Sequence, residues 1–227
     1  MKTSNYILFS FLIFLFGGIL WLFVGAKNYE ANEKNATLTQ VKKTAAFSIV
    51  VAEPGAYLVL KNGDENKISQ KYKKLEKSNF ASFEVRNDTL FVSATKLKFQ
   101  GKWLTVPEVY CKNLKTIIAK ENSNINLDNY SVDSLSVHLD KSYLHWQLDK
   151  SSYLKVVAQK SLLNIDGQSV GTLNLQLNET RLDMFLKSDI NLINGNLTNH
   201  SKLYFNLNGR INLKVDSSSY ISSVQRN

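Results

Sequence analysis

Asp166, Asp183 and His145 are the side chains of this sequence best suited to breaking a bond. Two carboxyl groups on one face can divide the roles of general acid and general base at a glycosidic oxygen. When the chain is stacked at an offset of 19 residues, His145, Asn164, Asp183 and Lys202 form one outward column, and Asp166 falls in the column beside it. Asn, Lys and His next to carboxylates are also what a solvated sheet face carries, because neighbouring charges compensate one another. That reading is the simpler one. A non-enzyme is expected, with these three residues as the catalytic candidates.

A second cluster is cationic. Lys71, Lys73, Lys74 and Lys77, with Tyr72 among them, could meet an anionic surface or glycan, although Asp64, Glu65 and Glu76 dilute the charge. A solvated loop or a short helix over residues 64–79 is the alternative. The remaining histidines, His138 and His200, stand at no metal-ligand spacing from Cys or carboxylate. The sequence has no Gly-rich phosphate loop, serine elbow or pair of cysteines. No metal and no cofactor are expected. Cys111 is the only cysteine, so it cannot close an internal disulfide.

The elements that would position these residues repeat. From about residue 120, short runs alternate apolar and polar residues and end in Ser, Asn, Asp, Lys or Gly, which is the pattern of strands and turns. Leu135, Leu154, Leu173, Leu192 and Ile211 are each 19 residues apart, as are Leu144, Leu163, Leu182, Ser201 and Tyr220. Two strands thus make one repeat, with a turn column at Ser142, Ser161, Thr180, Asn199 and Ser218. A fixed period near 20 with apolar columns predicts a β-solenoid, in which coils too small to bury their own cores share one by stacking. An antiparallel meander or sandwich would also place strands every nine or ten residues, but would not require one phase through five repeats. In this register Asn194 and Asn196 fall in inward columns, implying an irregular fourth coil or a buried Asn ladder.

Upstream the pattern is looser. Residues 47–51, 57–60, 83–85, 90–92 and 103–106 read as strands. Residues 7–24 carry no charge, and a helix over residues 6–26 would be roughly 31 Å long, enough to cross a bilayer. It reads as an uncleaved anchor, a cleaved signal being the alternative. The expected domains are an anchor at 1–26, a polar tether at 27–43 and a solenoid at 44–227, with an irregular basic part (44–120) and regular repeats (121–227).

The 227-residue chain has a net charge of +9. Residues 27–120 hold 17 basic and 9 acidic side chains, whereas residues 121–227 hold 10 of each. The basicity is membrane-proximal, and nucleic-acid binding is not expected.

The succession of residues 47–51, 57–61, 90–92, 104–107, 114–118 and 122–127, followed by the strand repeats, resembles the auto-transporter adhesin head GIN domain family of Bacteroidota envelope proteins. The resemblance covers about residues 44–227. It implies a right-handed single-stranded β-helix in an envelope protein. The chain differs in having Ser, Asn and Lys at turns where that family often has Gly. The expected protein is a single-pass bacterial inner-membrane protein with its body in the periplasm or otherwise outside the cytoplasm. It would act as an adhesin-like module for a glycan or envelope protein; a structural or regulatory role beside another inner-membrane protein is the alternative.

Overall fold

A run of Phe, Leu, Ile, Val and Trp interrupted only by Ser10, Gly17 and Gly18 presents no polar face, and it forms the apolar part of one helix, α1 (Thr3–Asn35). Its segment Phe9–Lys27 is long and apolar enough to cross a membrane and is covered by nothing. The computed structural model describes residues 3–35, 37–73, 82–94, 106–187, 190–206 and 209–223. It divides into two units, residues 1–39 with 71–78, and residues 40–70 with 79–227. The stretch expected as a polar tether, residues 27–43, contains the end of α1 and the strand β1 (Thr37–Lys43).

The second unit is built from strands. β2 (Ile49–Ala52), β3 (Tyr57–Asn62), β4 (Lys67–Lys73), β5 (Phe83–Arg86), β6 (Thr89–Val92), β7 (Glu108–Cys111), β8 (Thr116–Ala119) and β9 (Asn124–Tyr130) form its irregular part. The regular repeats are β10 (Ser134–Asp140), β11 (Tyr143–Gln159), β12 (Leu162–Asn178), β13 (Arg181–Leu186), β14 (Leu192–Thr198), β15 (Lys202–Phe205), β16 (Arg210–Val215) and β17 (Tyr220–Ser223). The Lys-rich segment expected as a loop or helix contains β4, whose Lys67–Ser69 portion lies antiparallel to β7. Of the strand expected at 103–106, residues 103–105 lie outside the described residues.

The repeats stack as a β-solenoid of about five turns with about 19 residues per turn. Strands one turn apart pair in parallel and in register: Leu135 with Leu154, Leu154 with Leu173, Leu144 with Leu163, and Leu163 with Leu182. An antiparallel sandwich has no such pairing. All six of these leucines are buried, each contributing about 1.5–3 kcal/mol relative to exposure. One face of the solenoid is formed by β8, β10, the second halves of β11 and β12, then β14 and β16. The other is formed by β9, the first halves of β11 and β12, then β13, β15 and β17.

The fixed period fails at the fourth coil. Leu173 pairs with Ile193 where the period would bring Leu192, and Leu182 pairs with Leu203 where it would bring Ser201. One extra residue enters the corner between Leu182 and Ile193. Another enters the next turn, where Asn199 and His200 both adopt positive φ while the three earlier turns use only Lys141, Lys160 or Glu179 in that way. The following steps fall one short of the period, so Ile193 meets Ile211 and Leu203 meets Ile221. Insertion and deletion cancel along the Leu135 column, and for that reason Ile211 still falls on the original count. The buried Asn ladder therefore does not exist. Asn194 pairs with Asn174 and Asn196 with Gln176, both on the outward side, and Gly195 takes the inward slot beside Leu175. Gly195 has φ +135°, and a Cβ there would stand 1.8 Å from the Leu175 carbonyl oxygen, so only glycine fits.

Upstream, stacking order departs from chain order. β2 lies between β6 and β8, and β3 between β7 and β9, all in parallel. The chain lays down this internal rung first, adds β6 and β7 on its outer side, then crosses back to β8 and β9. Antiparallel β4 and β5 cover the outer rung, removing the open edge that a terminal parallel strand would present.

Candidate functional site

The second face carries the three catalytic candidates. His145 stands in register with Asn126 on one side and Asn164 on the other, and Asn164 with Asp183. Because of the slip, the next residue in this ladder is Tyr204 and not Lys202, which pairs with Arg181. Arg181 holds Asp183 with its Nε, 2.9 Å from one carboxylate oxygen and 3.0 Å from the other. The Arg181 guanidinium also lies 4.9 Å from the Tyr204 ring. Asp183 is thus engaged by a cation and held on a crowded rung.

Asp166 sits one column over, in register with Gln147 and Phe185. It lines a depression of about 440 Å³ with Gln147, Gly167, Phe185 and Lys187, and Asp183 is not part of that lining. The two carboxylates do not share a cavity. His138, on the first face, is half-buried and within 3.1 Å of the Ser136 hydroxyl. Burial, then the nearby Lys155 charge, pushes its imidazole below the ordinary histidine value. Among the described residues no group of three His, Cys, Asp or Glu could hold a metal ion.

Of the cationic candidates, Lys71 is exposed on β4. Lys73 ends that strand, and Lys74 and Lys77 lie outside the described residues. Other cations are engaged within the fold: Lys61 with Glu108 at 3.0 Å and Asp128 at 3.6 Å, and Lys120 with Glu53 at 2.9 Å.

Two larger depressions occur among the described residues. One of about 1060 Å³ is lined by Asp64, Asp88, Asp133, Lys112, Lys115 and Lys155, among others. Two of its three carboxylates have internal partners, since the Ser48 hydroxyl donates to Asp88 and the Ser152 hydroxyl donates to Asp133 at 2.6 Å. The other, about 690 Å³, is a groove crossing five strands of the first face. One side of it is the in-register column Ile118, His138, Val157, Gln176 and Asn196. The other is Asp140, Gln159, Asn178 and Thr198, two residues further along each strand. The sequence contains this groove as one mixed and one polar column, and neither brings together a pair of residues whose types announce catalysis.

No family model matches the chain, and no curated protein matches it. Among solved structures it is similar to a candidate adhesin from Bacteroides fragilis, with 12% identity over 83% of this chain and 97% of the other and a TM-score of 0.49. It is also similar to a candidate adhesin from Parabacteroides merdae, with 12% identity over 83% and 96% and a TM-score of 0.39. A third is a candidate lipid-binding protein from Parabacteroides distasonis, with 11% identity over 83% and 97% and a TM-score of 0.38.

Proposed function

We propose that this chain is a non-catalytic, adhesin-like binding module of the bacterial cell envelope. Helix α1 anchors it in the inner membrane and the solenoid stands outside the cytoplasm. The observation that carries this reading is the pair of outward faces, whose side chains run as continuous ladders over stacked rungs. Such a surface is rigid and extended, and it suits a partner that is itself a repeating chain. The engagement of Asp183 by Arg181, and its separation from the depression at Asp166, favour binding over hydrolysis. The exposed Phe9–Lys27 segment supplies the anchor.

The test uses the full chain reconstituted in neutral phosphatidylcholine vesicles. The vesicles are passed over immobilised envelope polysaccharides and envelope proteins, and the immobilised material is afterwards analysed for mass. Retention on one member of the panel without change in its mass is expected. Cleavage of a polysaccharide, or failure of the chain to remain with the vesicles after carbonate extraction, overturns the reading.

A further inference from the structure

We propose that the groove on the first face binds a neutral, extended, β-1,4-linked polysaccharide lying along the solenoid axis. This rests on the adhesive reading above and names its ligand class and site.

The first argument is one of spacing. Rungs repeat at about 4.8 Å, so the five rungs from Ile118 to Asn196 span roughly 19 Å, and the two columns stand about 7 Å apart. A β-1,4-linked pyranose chain advances by close to one rung per sugar, and the gap between the columns is about the width of a sugar ring. Successive sugars in such a chain are turned over relative to one another, so like surfaces recur at every second sugar. Over its first four rungs one side of the groove has the same two-rung period: apolar Ile118 and Val157 alternate with polar His138 and Gln176, and polar Asn196 ends the column.

The second argument is chemical. Gln159, Gln176 and Asn196 are exposed, and among the described residues their side-chain amides have no hydrogen-bond partner. Each amide presents two donors and an accepting oxygen, which matches sugar hydroxyls that both donate and accept. Ile118 and Val157 offer apolar contact to the C–H faces of the rings. In the depression beside Asp88 and Asp133, by contrast, both carboxylates are already engaged.

The third argument is charge. Lys120 at the groove's edge is held by Glu53, and Asp140 is an exposed carboxylate on the wall. A groove with an engaged cation and an open carboxylate favours uncharged chains and disfavours phosphate- or uronate-bearing ones.

The experiment is titration calorimetry of the full chain in phosphatidylcholine nanodiscs. The probes are β-1,4-linked hexamers of glucose and of N-acetylglucosamine, the α-1,4-linked glucose hexamer, and a β-1,4-linked mannuronate hexamer. At least one neutral β-1,4 probe is expected to bind about tenfold or more tightly than the α-linked and the uronate probes. The double variant Gln159→Ala/Gln176→Ala, with its melting temperature unchanged, should lose about tenfold or more of that affinity. Val157→Arg, which places a bulky cation in the groove's wall, should abolish it. Equal affinity for α- and β-linked hexamers, or affinity unchanged in both variants, overturns the proposal. If no hexamer binds while the vesicles are still retained on the panel, the groove assignment fails and the adhesive reading stands. If retention is also absent, both fail.

Discussion

The backbone N–H of Thr180 donates to the hydroxyl of Ser201, 3.2 Å away on the next coil. The same bond joins Ser142 to Ser161, Ser161 to Thr180, and Ser201 to Ser219. A column of hydroxyls, buried as far as Ser201 and half-buried at Ser219, therefore takes up the N–H groups that each turn turns away from the strand ladder, and it does so whether the step between coils is regular, lengthened or shortened. The uniform count put Asn199 and Ser218 in this column. The structure puts Ser201 and Ser219 there, because the hydrogen bond and not the count selects the residue. Ser161→Ala should cost about 1–3 kcal/mol by leaving the buried Ser142 N–H without an acceptor. A substitution at exposed Gln159 should cost little. Urea denaturation of the two variants reads the difference.

The slip at the fourth coil separates two neighbouring residues. Ile193 is fully buried beside Leu173, whereas Leu192 is only half-buried. Ile193→Asp places a carboxylate in the core and should prevent folding, but Leu192→Asp should leave a folded protein of reduced stability. Circular dichroism and thermal melting check this, and the reverse order would restore the uninterrupted period. Leu173→Asp and Asn174→Asp form the matching pair one coil earlier, the first unfolding and the second tolerated.

Gly195→Ala should destabilise by more than about 3 kcal/mol. It combines a backbone conformation unsuited to an L side chain with a direct clash against the Leu175 carbonyl. Asn196→Ala, exposed on the next residue, is the control and should be nearly neutral. Denaturant midpoints compare the two.

Asp216 clasps the last turn. Its carboxylate accepts from the Asn199 N–H at 2.6 Å and from the Ser218 hydroxyl and N–H at 2.9 and 3.1 Å. These bonds, led by the Asn199 N–H, hold its pKa far below the ordinary carboxylate range. A carboxyl depressed in the folded state stabilises above its unfolded value, about 3.9. That stability is lost as pH falls below about 4 toward the native value. Wild-type protein should lose urea resistance over that range more steeply than Asp216→Asn, which should begin less stable at neutral pH and show a flatter acid limb.

Much of the architecture is legible in the sequence. Alternation of apolar and polar residues places side chains on opposite faces of a strand whatever the strand pairs with, and residues separated by one repeat must stack if each coil is to bury its apolar face. Leu135, Leu154 and Leu173 therefore announced a solenoid, and residues 7–24 announced a helix with no polar side. The candidate site was less legible. Asp166 and Asp183 have the residue types of a catalytic pair, but their neighbours decide what they can do, and Arg181 engages one of them. Gln159, Gln176 and Asn196 are unremarkable as types; they become a surface only when five rungs bring them into line.

The sequence by itself determined that inward and outward residues alternate along the strands, that strands recur at one nearly fixed period, and that one apolar helix precedes them. Each of these follows from local periodicity and the cost of exposing apolar surface. Only the tertiary structure decided where the period slips, that β2 and β3 lie between strands made later in the chain, and that Arg181 rather than a second carboxylate faces Asp183. These depend on corner lengths, on which hydroxyl reaches which N–H, and on pairings between residues far apart in the chain. No window of residues along the chain contains those distances.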